Sequence, residues 1–269
     1  MVSCVLPRDL VFAVGFDEMS RNFKLTLAYD GTDFSGWQVQ PDRRTIQGEL
    51  LEAIRRVTGE QVLPQGSGRT DAGVHALGQV ASFALASPIP APNLQIALNH
   101  TLPTSISVLT AEEAFADFHA RHSAKAKSYE YRLYRGDICP PFIARYVDHH
   151  PYPLNEESMH RAAELVIGEH DFTSFAAVDP ERGKDEEELD NVRTVFSSSW
   201  QREGELLTYR VRGDGFLHHM VRNLVGSFLL VGKGSVAVEA IPKILAAKNR
   251  SKAGPTAAAA GLFLVSVEY

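Results

Sequence analysis

The chain has 269 residues, of which 44% are hydrophobic and 22% are charged, and its formal net charge is −6. These values are typical of a folded globular protein and exclude bulk disorder, a collagen-like repeat and a coiled coil. No stretch approaches the roughly 18 apolar residues of a membrane-spanning helix. The two cysteines, Cys4 and Cys139, form no CxxC pair, which excludes a disulfide framework or a zinc cluster. We therefore expect a protein of the reducing cytoplasm without membrane association.

The acidic average conceals a basic segment. Residues 179–190 contain seven acidic side chains and carry a net charge of −5, so the other 257 residues sum to −1. Residues 118–135 carry a net charge of +4. Local patches rather than averages attract phosphates, although a solvated strand edge would show the same pattern. The acidic stretch is typical of an exposed loop insertion.

The first elements follow an N-terminal tail, residues 1–21. The apolar run of this tail has no basic region before it and no small-residue cleavage site after it, so a signal peptide is not predicted. From Asn22 to Tyr29 apolar residues alternate, which predicts a strand. Thr45 is a suitable N-cap and Gly59 a suitable stop for a helix between them. The next predicted elements are strands at 79–83 and 106–111 and a short helix near 93–99.

A second series of elements begins at Lys127, where aromatic and apolar residues again alternate. Asn155 is a suitable N-cap for a helix that ends at Gly168. The remaining predicted elements are strands at 192–200 and 206–213, a largely apolar helix at 216–231, a short helix at 238–248 and a final strand at 262–269. This order predicts an α+β fold with two similar α/β halves, 22–124 and 125–269, that share a mixed, mainly antiparallel sheet.

The sequence does not match the motifs that are typical of a bound cofactor or metal. The G-x-G-x-x-G fingerprint that would start at Gly66 needs glycine at position 71, where Asp71 stands. The histidine pairs at 119 and 122 and at 218 and 219 have no cysteine or carboxylate set at ligand spacing in the sequence. We therefore predict no cofactor and no metal.

A glycine-flanked segment, GRTDAGVH at 68–75, holds an arginine and an aspartate two residues apart. On an extended loop Arg69 and Asp71 would project to the same side, and the glycines would let a ligand approach the backbone. A tight turn capped by the aspartate is the structural alternative.

The helix predicted at 216–231 is apolar nearly all round, so we expect it to be buried. Arg222 lies within it, and a buried guanidinium costs several kcal/mol unless an anion compensates its charge. The alternative is that the side chain extends along its stem to solvent.

Eight segments form an ordered set of motifs. Two of them are GRTDAGVHA at 68–76 and HMVRN at 219–223. The others lie at 24–32, 34–38, 118–121, 127–129, 171–175 and 261–265. Together they resemble the TruA family of tRNA pseudouridine synthases over residues 22–269.

The resemblance implies the pseudouridine synthase fold with a central catalytic cleft, in which the first half carries the Asp71 loop. It implies isomerisation of uridine to pseudouridine in the anticodon stem-loop of tRNA, at positions 38, 39 and 40, without a cofactor or metal. By resemblance Asp71 is the nucleophile, which attacks C1′ or C6 or removes a sugar proton. Arg222 would pair with Asp71, and Tyr129 would stack on the target base. This pairing agrees with the need of a buried arginine for an anion, and the adjacent cation would keep the carboxylate ionised.

The resemblance also implies the contacts with RNA. The expected substrate-binding residues are Tyr129, Arg69, Phe118, His119, Ala120, Arg121, His122 and Arg193. Most of them lie in or beside the basic segment, and Arg69 would help to displace the target nucleotide. Because family members form homodimers, we expect a homodimer that binds the anticodon arm of tRNA.

Two other functions fit part of the pattern. A non-catalytic RNA-binding protein on this scaffold would share the basic segment, but it need not keep Asp71, Tyr129 and Arg222 together. A glycosidase with an aspartate nucleophile would usually need a second carboxylate as acid–base partner. The Asp71 loop offers an arginine instead.

Overall fold

The structure is a computed structural model that describes residues 20–177 and 190–269. Nearly all of the expected N-terminal tail and of the acidic insertion lies outside these residues. Within them ten strands form one sheet. The strands are β1 (Arg21–Tyr29), β2 (Gln65–Gly66), β3 (His75–Leu85), β4 (Ile106–Ala114), β5 (Ala126–Tyr134), β6 (Asp148–His149), β7 (Gly168–Asp171), β8 (Val192–Glu203), β9 (Leu206–Gly213) and β10 (Leu262–Glu268). The α-helices are α1 (Ile46–Thr58), α2 (Ala91–Thr101), α3 (Glu156–Glu164), α4 (Met220–Gly232) and α5 (Ala240–Ala247).

The sheet has the strand order β4-β1-β3-β10-β5-β9-β8-β7, with β2 paired to β3 and β6 paired to β5. The pairs β3–β10 and β5–β6 are parallel, and the other pairs of the described sheet are antiparallel. The predicted α+β class with one mixed, mainly antiparallel sheet is confirmed. Because the C-terminal strand β10 lies between β3 and β5, the loop that precedes β3 comes close to β5. The site forms at this junction.

The core lies on one face of the sheet. Alternate residues of β1, such as Phe23, Leu25 and Leu27, have no exposed surface, as the alternation in the sequence predicts. On the other side of β10, Tyr131 of β5 is paired with Tyr209 of β9, and the Tyr209 ring packs edge-on against Phe228 of α4. These residues belong to one continuous apolar cluster. The site therefore rests on a packed support.

The opposite face of the sheet is polar. Arg210 of β9 pairs with Glu130 of β5 at 3.0 Å, and Arg212 pairs with Glu268 of β10 at 2.6 Å. These cross-strand pairs follow from the period of two along each strand, which puts charged residues on the side away from the core.

The predicted helix between Thr45 and Gly59 is confirmed, with both caps. The Thr45 side chain accepts a hydrogen bond from the Gly48 N–H at 3.2 Å, and Gly59 ends the helix in the left-handed region at φ +80°. Asn155 likewise caps α3, through the Ser158 N–H at 2.9 Å.

Two predicted helix bounds were wrong. The buried helix begins at Met220 rather than 216, because His219 has left-handed backbone angles (φ +60°, ψ +4°) that cannot continue a right-handed helix. Gly168 does not end α3, which stops at Glu164; it begins β7 instead. The strands β2, β6 and β7 were not predicted, since two to four residues are too few to show an alternation.

Candidate active site

Asp71 lies on the loop between β2 and β3, and hydrogen bonds hold this loop beside the aspartate. The Trp37 N–H donates to the Thr70 carbonyl at 3.0 Å, and the Val74 N–H donates to the Asp71 carbonyl at 3.1 Å. The Thr70 hydroxyl is 2.8 Å from the Tyr29 hydroxyl. Burial raises the pKa of Tyr29 to about 12, so this phenol stays neutral. The carboxylate is therefore presented from a fixed backbone.

The loop is equally constrained before the aspartate. The Ser67 hydroxyl donates to the Gln79 Oε1 at 2.7 Å, and the Gln79 Nε2 donates to the Gly68 carbonyl at 2.9 Å. Gly36, from the 34–38 motif, packs against the loop with φ +90°, and a Cβ there would lie 2.6 Å from the Thr70 carbonyl oxygen. Only glycine tolerates both that φ and that approach.

Arg222 extends from the first turn of α4 to Asp71. Its Nη1 donates to the Asp71 Oδ2 at 2.7 Å, and its Nε donates to the Ala257 carbonyl at 2.8 Å. The two side chains are 15% and 18% exposed, so the ion pair is largely withdrawn from water. Two side chains beside the carboxylate, those of His219 and Arg222, come from the N-terminal end of α4. The structure thus brings together the aspartate and the arginine that the sequence places 151 positions apart.

Two histidines complete the surroundings of the carboxylate. The His219 Nε2 lies 3.3 Å from the Asp71 Oδ2, and the His218 Nε2 lies 3.6 Å from Oδ1. Their rings are in contact, with centroids 3.9 Å apart and planes tilted by 34°. Burial lowers the pKa of His219, which favours the neutral imidazole. The left-handed backbone of His219, which costs a non-glycine residue about 1–2 kcal/mol, directs this ring toward Asp71.

These histidines and Asp71 also form a set of groups that could hold a metal ion, since one ligand atom from each lies within 4.8 Å of the others. Sequence spacing did not reveal the carboxylate, because it comes from a distant loop. A cation here would compete with Arg222 for the same carboxylate. The absence of a metal stays a prediction.

Tyr129 lies on β5 between Val211 of β9 and Leu264 of β10. Its ring meets the Phe216 ring edge-on, with centroids 5.0 Å apart, and the residue is 8% exposed. Burial and, after it, electrostatic interactions with Tyr29 and Asp71 raise the pKa of Tyr129, so its hydroxyl stays neutral. Leu264 of β10 pairs both with Tyr129 and with Ala76 of β3, the strand that follows the Asp71 loop.

The segment 118–122 is anchored between β4 and β5. The Phe118 ring packs against the Tyr269 ring, with centroids 4.9 Å apart. The Ala120 N–H donates to the Ser82 hydroxyl at 3.0 Å, and the Ala120 carbonyl accepts from the Tyr269 hydroxyl at 2.8 Å. Because Ala120 has no exposed surface, it fixes the segment rather than contributing to its surface.

The exposed part of this segment is organised by His119. Its Nδ1 accepts hydrogen bonds from the N–H groups of Arg121 and His122, at 3.1 and 3.3 Å. Burial lowers the pKa of His119, with smaller contributions from His122 and Arg121, so the imidazole is neutral and carries its proton on Nε2. The side chains of Arg121 and His122 are thereby presented on a defined turn.

Lys127 lies between this segment and the Asp71 loop. Its Nζ donates to the Ser67 carbonyl at 2.6 Å. Burial and, after it, the charges of Arg121 and Arg193 lower the pKa of Lys127 to about 8. Two arginines expected to bind RNA thus lie near this lysine, to which the sequence analysis assigns no role in the site. Arg69 is exposed on the same loop, two residues before Asp71.

A family profile described as tRNA pseudouridine synthase matches residues 26–123 and 162–269. The chain belongs to the tRNA pseudouridine synthase family. Three similar relatives are each called tRNA pseudouridine synthase A. The protein from Solibacter usitatus (strain Ellin6076) is 52% identical over 250 residues, which are 93% of this chain and 100% of that protein. Those from Brevibacillus brevis (strain 47) and Moorella thermoacetica (strain ATCC 39073) are 47% identical over 249 residues, covering 93% and 91% of this chain and 100% and 98% of theirs.

Membership in the tRNA pseudouridine synthase family confirms the resemblance to the TruA proteins. The protein is therefore an isomerase that acts on uridine in tRNA. Across the two described stretches of the chain, the helices are too short or too polar to cross a lipid bilayer.

Proposed function

We propose that this enzyme converts uridine to pseudouridine in the anticodon stem-loop of tRNA, at positions 38, 39 and 40, with Asp71 as the nucleophile. The observation that supports this most strongly is the Asp71–Arg222 pair, 2.7 Å apart and largely buried on a constrained loop. Such a carboxylate is paired with a cation and held in position before the substrate arrives, as a nucleophile requires.

The reaction breaks the bond between C1′ and N1 and forms a bond between C1′ and C5. C5 loses its hydrogen as a proton and N1 gains one, so substrate and product have the same atoms. Asp71 can attack C1′ or C6, or it can remove a sugar proton, and each route uses the same ionised carboxylate. Arg222 and His219 hold its Oδ2. A fixed carboxylate contributes through proximity, because little reorganisation is then needed in the transition state.

Tyr129 has the role of a stacking platform for the detached base. A uridine that leaves its stack loses roughly 1–3 kcal/mol, which an aromatic face can return. Phe216 packs edge-on against the Tyr129 ring and holds its orientation. The proposal is supported by β10, which links the strand of Tyr129 to β3, the strand that follows the Asp71 loop.

The tRNA backbone would run over the basic side of the site. Arg69 and Arg121 are exposed there, and Arg193 lies near Lys127. His122 is exposed beside Arg121, while Phe118 and Ala120 anchor the segment that carries them. Contacts of this kind with phosphates position the RNA without reading its sequence.

A homodimer is supported by apolar side chains that the single chain leaves uncovered. Ile138 and Phe142, on the loop after β5, are 84% and 91% exposed. A cavity of about 630 Å³ lies near this loop, on the sheet face that carries Arg132 and Phe263. A two-fold dimer would cover both features at once. Light scattering should give twice the chain mass for the wild type and the single mass for Phe142→Asp; a monomeric wild type at micromolar concentration would contradict the proposal.

The experiment that tests the proposed function is pseudouridine mapping in an unmodified tRNA transcript that has uridine at 38, 39 and 40. Carbodiimide treatment followed by primer extension should show stops at these positions after incubation with the enzyme. Stops only outside the anticodon arm would contradict the assigned site. Bound but unchanged tRNA would indicate an RNA-binding protein, and release of free uracil would indicate a glycosidase.

A further inference from the structure

Lys127 is a cation in an unusual setting. Its ammonium group is largely buried, and within the described residues it donates one hydrogen bond, to the Ser67 carbonyl at 2.6 Å. An ammonium group has three N–H donors. Burial and the repulsion of Arg121 and Arg193 both disfavour its charge, and no carboxylate of the described part of the chain is within ion-pair distance. Within the fold this arrangement is unfavourable unless something else satisfies it.

The contrast with neighbouring arginines is sharp. Arg132 and Arg210 both pair with Glu130, at 2.6 and 3.0 Å, and Arg212 pairs with Glu268. In residues 20–177 and 190–269, no carboxylate lies within 4.0 Å of the charged groups of Lys127, Arg121 or Arg193. Among the described residues, the arginines on the polar face of the sheet thus have carboxylate partners, whereas Lys127, Arg121 and Arg193 have none within that distance.

Glycine lies directly beside two of these cations. Gly68 lies beside Lys127, and a Cβ there would come to 3.3 Å from the Nζ. Gly215 lies beside Arg193, and a Cβ there would come to 3.3 Å from the Nε. Two loops that belong to different parts of the chain thus keep side-chain atoms away from the two charged groups.

We infer that Lys127, together with Arg121 and Arg193, binds one backbone phosphate of the RNA, next to the nucleotide whose base reaches Asp71. The inference rests on the proposed function, because it takes tRNA as the substrate. A phosphodiester supplies the missing negative charge and the acceptor oxygens that several donors can share.

The position of Lys127 links this phosphate to the catalytic loop. Its Nζ holds the carbonyl of Ser67, four residues before Asp71. A phosphate bound at the same ammonium group would therefore have a fixed position relative to the loop that carries the nucleophile. Lys127 is a positioning residue in this account, and its loss should lower kcat as well as affinity.

The test is a cycle that combines Lys127→Met with neutral methylphosphonate linkages. Each phosphate within two nucleotides of the target uridine in an anticodon stem-loop RNA is replaced singly. With wild-type enzyme, one linkage should lower kcat/KM by about 10- to 100-fold, the range expected for a charge-assisted hydrogen bond. On unmodified RNA, Lys127→Met should have a kcat/KM lower than that of the wild type by a similar factor. Replacing the same linkage by methylphosphonate should then lower the kcat/KM of Lys127→Met little further.

The control variant is Lys125→Met, which removes an exposed lysine two residues away and should keep the full penalty at that linkage. Lys127→Arg keeps the charge and should retain part of the penalty. Filter binding of the same RNAs measures the affinities for the same cycle of Lys127→Met and methylphosphonate, independently of turnover. If the penalties of Lys127→Met and of every methylphosphonate simply multiply, the phosphate site is wrong. If instead the wild type binds with this pattern but forms no pseudouridine, the proposed function fails and the phosphate site stands.

Discussion

Replacing Arg222 by methionine should destabilise the protein, because Asp71 would lose its cation while the bulk of the side chain remained. The Arg222 Nη1 and Asp71 Oδ2 are 2.7 Å apart, and the side chains are 15% and 18% exposed. Charges whose centres lie about 4 Å apart attract by about 4 kcal/mol at an effective dielectric constant near 20. Desolvation of both groups offsets part of this attraction. We therefore expect a coupling free energy of about 2 kcal/mol.

A double-mutant cycle measures this coupling. The free energy of unfolding in urea is determined for the wild type, Arg222→Met, Asp71→Ala and the double variant. The matched control is the cycle for Arg212 and Glu268, which are 2.6 Å apart but 40% and 47% exposed. An exposed pair contributes only about 0–1 kcal/mol, so the control coupling should be the smaller one.

Equal couplings in the two cycles would refute the reasoning, since burial would then make no difference to the pair. The m-values of the variants should be unchanged, because a changed m-value would mean that unfolding exposes a different amount of surface in that variant.

Three further outcomes follow from the site. Lys127→Met should be more stable than the wild type near pH 7, and this advantage should shrink by roughly 2–3 kcal/mol between pH 8 and 10. The folded amine, with its pKa of about 8, loses its charge in this range while the unfolded amine keeps it. Urea unfolding measured against pH checks this, and a difference that does not change with pH would contradict it. His219→Gly should be about 1 kcal/mol more stable than His219→Ala, because glycine accepts φ +60°; equal urea midpoints would show that this backbone is unstrained. Tyr129→Phe should stay within about threefold of wild-type kcat/KM, whereas Tyr129→Leu should lose about 10- to 100-fold, since base stacking contributes about 1–3 kcal/mol. Tritium-release assays measure both variants, and equal losses would assign the role to the hydroxyl.

Most of the sheet could be predicted from the sequence, because alternation and caps are local signals. The strand from Asn22 to Tyr29 and the helix between Thr45 and Gly59 lie within one residue of their predicted bounds. The start of α4 could not be predicted, since a histidine at φ +60° depends on its tertiary setting. Short strands such as β6 exist only through their neighbours, so no pattern within them reveals them.

Some residues of the candidate site could likewise be predicted from the sequence, and others could not. The buried charge of Arg222 and the motif around Asp71 made both residues candidates, and the fold places them 2.7 Å apart. The histidines at 218 and 219 were considered only as a metal pair, because their carboxylate neighbour is far away in sequence. The sequence places Lys127 in the basic segment and in the 127–129 motif but gives it no role, since its burial and the lack of a carboxylate beside it in the described residues are visible only in three dimensions.

The most direct test of the central claim is tritium release from tRNA whose uridines are labelled at C5, with wild type and Asp71→Ala compared. C5 loses its hydrogen when the new carbon–carbon bond forms there, so the signal reports isomerisation and not binding. Release by the wild type alone is the predicted result. Equal release by Asp71→Ala would leave the reaction standing and contradict the assignment of Asp71 as the nucleophile.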